Sequence, residues 1–153
     1  MKTFKFRMQT VLEQRERVET VAKQTFAEAD AACGRGARLL AELQDVRAAL
    51  LEELRAQDVQ FDPLEMRVYQ DYMQTITQSI REQEAYLREI TLQREACKLH
   101  MVGAAQNRQA LDTVKDRDKS AHAQRRQRAE QTAMDELSTA RFNFRQREGQ
   151  GAT

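Results

Sequence analysis

Ala, Glu, Lys, Leu and Arg supply about half of the 153 residues, beside one proline, five glycines and no tryptophan, which is the makeup of long helices. The Gly/Pro turns and β-branched runs that a sandwich, a barrel or an alternating strand–helix enzyme needs are missing. The 25 basic and 24 acidic groups nearly cancel, yet they are segregated, with residues 1–23 and 115–148 basic and residues 45–65 acidic.

No stretch approaches the ~18 apolar residues of a membrane span. The opening MKTFKFRMQTVLEQRE has no uninterrupted apolar run, so no signal peptide is expected. Cys33 and Cys97, with no CxxC spacing, fit a reduced compartment, and the expected location is cytoplasmic.

The first predicted element is a helix over about residues 4–57. Steps of four and three from Phe4 through Met8, Val11, Arg15, Val18 and Ala22, and on to Leu39, Leu43, Val46 and Leu50, land mostly on apolar residues. A period of 3.5 held for more than six heptads is the mark of a coiled coil. Gly34 and Gly36 each cost a helix about 1 kcal/mol relative to alanine. They are read as a bend, or as a close approach of Gly36 to the seam, rather than as a break.

The chain breaks once, in a turn at about 58–62. Asp62 is placed as N-cap of the second helix, with Pro63 at the first helical position and Glu65 at the third. That helix is expected over about 63–147, followed by a disordered tail at 148–153. Its seam runs from Tyr69, Met73, Ile76, Ile80, Gln83, Leu87 and Ile90 through Arg94, Cys97, Met101 and Ala104 to Arg108 and Leu111. A short turn makes the two helices antiparallel, pairing positions whose numbers add to about 121. Residues 119–147 are then left without an intramolecular partner, although Ala129, Ala133, Leu137, Ala140 and Phe144 carry an apolar line. The expected fold class is all-α: one long antiparallel two-helix coiled-coil hairpin with an overhanging C-terminal helix.

Catalytic and metal chemistry are not expected. His100 and His122 stand apart, no HExxH or Cys/His cluster occurs, and Gly34-Arg35-Gly36 lacks the pattern of a phosphate loop. A two-helix rod has no water-excluding pocket in which to tune a carboxylate. The expectation is a non-enzyme with no cofactor and no metal.

Three segments, taken in order, resemble the flagellar export protein FliJ family. The first is Phe4-Lys5-Phe6-Arg7-Met8-Gln9-Thr10-Val11-Leu12 through Arg15. The second is Tyr69-Gln70-x-Tyr72-Met73-x-x-Ile76, and the third is Met134-Asp135-Glu136-Leu137 followed by Arg141. The resemblance implies a soluble, stalk-like component of the bacterial flagellar type III export apparatus at the inner face of the membrane. Its implied partners are the export ATPase hexamer, the cytoplasmic domain of the export gate and export chaperones. It implies no nucleic acid, and membrane contact only through the apparatus. Carried over by position, the gate contact falls on Tyr72, Ile76, Ser79 and Gln83. Contact with the ATPase ring is assigned to Arg125, Arg126, Arg128, Ala133, Leu137 and Phe144. The competing readings are the equivalent stalk of a virulence type III secretion system, a generic structural coiled-coil adaptor, and a coiled coil that binds nucleic acid through its basic end. Against the last stand Asp116 and Asp118 and the lack of aromatics before Phe142.

Overall fold

A computed structural model describes residues 3–56 and 62–150. Two helices, α1 (Gln9–Ala56) and α2 (Pro63–Gln150), hold nearly all of them, and no strand occurs among the described residues. By their contacts they divide into a unit of Arg17–Ala105 and a unit of Met1–Glu16 with Gln106–Thr153.

In the Arg17–Ala105 unit the helices pack antiparallel, since contacts fall in α2 as they rise in α1. Asp30 pairs with Arg94 at 2.7 Å. The Gln83 side-chain amide donates to the Gly36 carbonyl at 3.1 Å, and the Tyr69 hydroxyl donates to the Glu53 carboxylate at 3.2 Å. The core cluster is Leu50, Ile76 and Ile80, with Leu40, Leu43, Tyr69 and Met73 packed against it. Helix α1 is unbroken through Gly34 and Gly36. A Cβ built on Gly36 would stand 3.2 Å from Ile90 Cδ1 and 3.3 Å from Leu87 Cδ1, so this glycine lets the backbone approach two large side chains.

Helix α2 begins at Pro63, one residue after Asp62. Asp62 lies just outside the helix, its carbonyl accepts the Met66 N–H at 3.0 Å, and Glu65 lies in the first turn. The rest of the expected turn at 58–62 falls outside the described residues. Helix α2 continues to Gln150, past the expected onset of a disordered tail at 148; residues 151–153 lie outside the described residues.

All thirteen seam positions expected on α2, from Tyr69 to Leu111, are buried or half-buried. On α1 eight of the fourteen positions expected from Phe4 to Leu50 are buried or half-buried. Ala22, Ala29, Ala32, Gly36, Leu43 and Leu50 are buried or half-buried as expected, but Thr25, Leu39 and Val46 are exposed, and Phe26, Leu40 and Arg47, each one position later, are half-buried in their place. Arg94 occupies the seam opposite Phe26, its guanidinium carbon 6.0 Å from the ring centroid.

The unit that contains both ends of the chain begins differently from the expectation. Residues 3–6 are not helical, and α1 starts at Gln9 rather than near residue 4. The Gln9 N–H donates to the Phe6 carbonyl at 3.2 Å. This turn buries Phe6 and Leu12, the latter only 1% exposed, in place of Met8 and Val11. Phe4 meets His122 with ring centroids 5.6 Å apart, tilted by 58°. From residue 123 to residue 147 every side chain of α2 is exposed.

Candidate partner-binding surfaces

Neither thiol is bridged: Cys33 and Cys97 are free and half-buried. No group of three or more His, Cys, Asp or Glu among the described residues is placed to hold a metal ion. No described helix is long and apolar enough to cross a membrane. The features left for function are faces of the two helices.

The four residues assigned to the gate do not form one free stripe. Tyr72 is 51% exposed, whereas Ile76 is 5% exposed inside the core cluster. Ser79 is half-buried, and its hydroxyl donates back to the Thr75 carbonyl at 3.0 Å. Gln83 is half-buried and held by its bond to Gly36. Ile76 and Gln83 are seam residues, three and four steps from other seam residues on either side. Tyr72 and Ser79 each come three residues after a seam position and so lie on one flank of it.

That flank is wider than the sequence reading made it. In an antiparallel pair the positions three residues after Gly36, Leu43, Tyr69 and Gln83 border the same side of the seam. They are Leu39, Val46, Tyr72 and Tyr86, and all four are exposed, Leu39 by 46%. Two aliphatic and two aromatic side chains therefore line one edge of the hairpin unit, with Ser79 between the tyrosines. The seven-residue spacing of Leu39 with Val46 was visible in the sequence. It was absorbed into the seam because apolar residues at that period are read as core.

The six residues assigned to the ATPase ring all lie in the exposed part of α2. Arg125, Arg126, Arg128, Ala133, Leu137 and Phe144 are exposed, Phe144 by 65%. Arg126 Nε pairs with Glu130 at 3.0 Å along the helix. Ala129, Ala133, Leu137, Ala140 and Phe144 fall within about 80° of arc at 100° per residue, an apolar stripe on a helix that no other described residue covers. Such a stripe adds little to a helix alone in water, because helical stability comes mainly from packing a face.

The family model for the flagellar FliJ protein matches residues 4–147. No match was found among curated proteins.

Proposed function

Since the chain belongs to the flagellar FliJ family, and is thereby a component of the flagellar export apparatus, we propose that it acts as a stalk which binds the export ATPase ring, links that ring to the export gate and assists export chaperones. The observation that carries the ATPase contact is the exposed helix from residue 123 to residue 147, apolar on one face and arginine-rich beside it. A helix of this kind is completed by a groove on a partner, with the arginines steering the approach. Arg125, Arg126 and Arg128 serve that approach, and Ala133, Leu137 and Phe144 fill the groove.

The gate contact is read as the flank that carries Tyr72 and Ser79, extended by Val46, Leu39 and Tyr86, rather than as a stripe through Ile76 and Gln83. A partner cannot reach Ile76 without opening the seam. The place of work is the cytoplasmic face of the membrane, reached through the export apparatus.

A pull-down with the export ATPase of the same genome tests the first contact. Leu137→Asp with Phe144→Asp should abolish both binding and stimulation of ATP hydrolysis. The melting curve of the free chain at about 500 mM salt should barely move, because both residues are exposed. Undiminished binding by this double variant overturns the assignment. For the gate, Tyr72→Ala with Tyr86→Ala should lose gate binding while retaining the ATPase. Loss of both partners, or of neither, overturns the flank.

A further inference from the structure

At the turn end of the Arg17–Ala105 unit a groove is lined by the apolar Leu51, Leu54, Met66, Tyr69 and Met73 together with polar residues of α2, among them Asp71, Arg81 and Glu82. Leu51 and Met66 are exposed there, and Leu64 and Val68 are exposed beside them. The groove is acidic on balance. Asp71 and Glu82 line the groove, and Glu53 and Glu65 stand beside its Tyr69, against Arg81. Apolar side chains bordered by an excess of one charge form the kind of site that receives an amphipathic helix of the opposite charge.

This chain holds such a helix. Residues 123–147 carry six arginines and no lysine, against Glu130, Asp135 and Glu136. Arg125, Arg126, Arg141 and Arg147 lie within about 80° of the centre of its apolar stripe at 100° per residue, against Glu130 and Glu136. Arginine is suited to the role, since its guanidinium is weakly hydrated and grips carboxylates in a two-pronged fashion. The excess of three negative charges at the groove meets an excess of three positive charges on the helix.

We propose that the groove at the turn end binds residues 123–147 of a second copy of this chain. The free chain then self-associates through the same helix that is read above as reaching the ATPase ring. A protein awaiting its partner would keep its exposed apolar face covered, and the ring would release it by competition. The occupant is a second copy rather than a foreign segment because both halves of the match, apolar and electrostatic, stand in one sequence.

Sedimentation of the full chain, without any ATPase, tests this. At about 50 mM salt and about 100 μM protein the chain should sediment above its monomer mass, and at about 500 mM salt it should revert to monomer. Two charge-reversed variants sharpen the result. Asp71→Arg with Glu82→Arg makes the groove basic, and Arg125→Glu with Arg141→Glu and Arg147→Glu makes the helix acidic. Each variant alone should be monomeric at low salt. Mixed in equal amounts they should associate again, because the basic groove of one now faces the acidic helix of the other. A wild-type chain that stays monomeric at low salt overturns the proposal. So does association that persists in both variants, or a mixture that does not recover it. None of these outcomes touches the ATPase contact, which the pull-down reads separately.

Discussion

Gly34 and Gly36 are two residues apart on one unbroken helix, and they should respond to the same substitution in different ways. A Cβ at Gly34 meets nothing within 4 Å, so Gly34→Ala gains the full helix preference of alanine, about 0.8–1.0 kcal/mol. A Cβ at Gly36 meets Ile90 Cδ1 at 3.2 Å, Leu87 Cδ1 at 3.3 Å and Gln83 Nε2 at 3.4 Å. Carbon pairs prefer about 3.5–4.0 Å, so two aliphatic ends from α2 must both give way by a few tenths of an ångström. These are the ends of flexible side chains, so Gly36→Ala should land within about 0.5 kcal/mol of the wild type, the helix gain offset by the displacement. Gly36→Leu has no such escape and should cost about 1–3 kcal/mol or more. For a chain of this size 1 kcal/mol moves the melting temperature by about 2–4 °C. Thermal and urea melts followed by circular dichroism therefore separate the three variants. Gly36→Ala as stabilising as Gly34→Ala, together with a tolerated Gly36→Leu, would refute the close approach of the helices at this level.

Leu40→Ala should cost about 2 kcal/mol or more and Leu39→Ala less than about 1 kcal/mol, because only Leu40 packs against the core cluster; equal losses in urea melts would contradict the seam described here. Asp62→Ala should cost about 0.5–2 kcal/mol by removing the N-cap of α2, and unaltered melts would deny the cap. Burial, then the charge of Glu53 and the hydrogen bond to it, then the charge of Glu65, hold the Tyr69 phenol above its ordinary pKa. The folded state thus keeps the phenolic proton longer than the unfolded state does. That contribution to stability is complete below pH about 10 and is lost as pH rises through the raised folded value. The gap in melting temperature between wild type and Tyr69→Phe should shrink above pH about 10, and a gap that stays constant into the alkaline range would show that Tyr69 carries no such coupling.

The seam of α2 was legible to the residue because its neighbours are polar. Thr75, Gln78, Glu82 and Glu89 flank Ile76, Ile80 and Ile90, so only one line at the 3.5-residue period is apolar. On α1 two adjacent lines compete. Leu39 stands beside Leu40, Val46 beside Arg47, Ala32 beside Cys33 and Thr25 beside Phe26. A count of apolar residues prefers the line with Val46 to the line with Arg47. The structure prefers the line that puts each α1 residue in a layer with an α2 residue, and Arg47 is accommodated half-buried, as a long aliphatic stem allows. The non-helical start was hidden for a similar reason. Phe4, Met8 and Val11 fit the heptad as well as Phe6 and Leu12 fit the turn that buries them.

The partner surfaces divide along the same line. The exposed helix beyond residue 122 followed from counting alone, because a hairpin turned near residue 60 leaves any longer second arm uncovered, and side chains 123–147 are exposed as that count requires. The gate stripe did not follow, because it was transferred by position as Tyr72, Ile76, Ser79 and Gln83, four residues at steps of four, three and four. Those steps trace a line along one face of a helix, but the line runs obliquely between seam and flank in this register. Ile76 and Gln83 belong to the seam, where their side chains hold the two helices together, and Tyr72 and Ser79 belong to the edge. A surface for a partner and a surface for the sister helix share one period in a two-helix coil. Periodicity in one helix therefore cannot tell them apart; only the phase of the other helix can. Once Gly36 is set against Leu87 and Ile90, that phase is fixed, and Leu39, Val46, Tyr72 and Tyr86 emerge as apolar side chains the hairpin does not use to hold itself together.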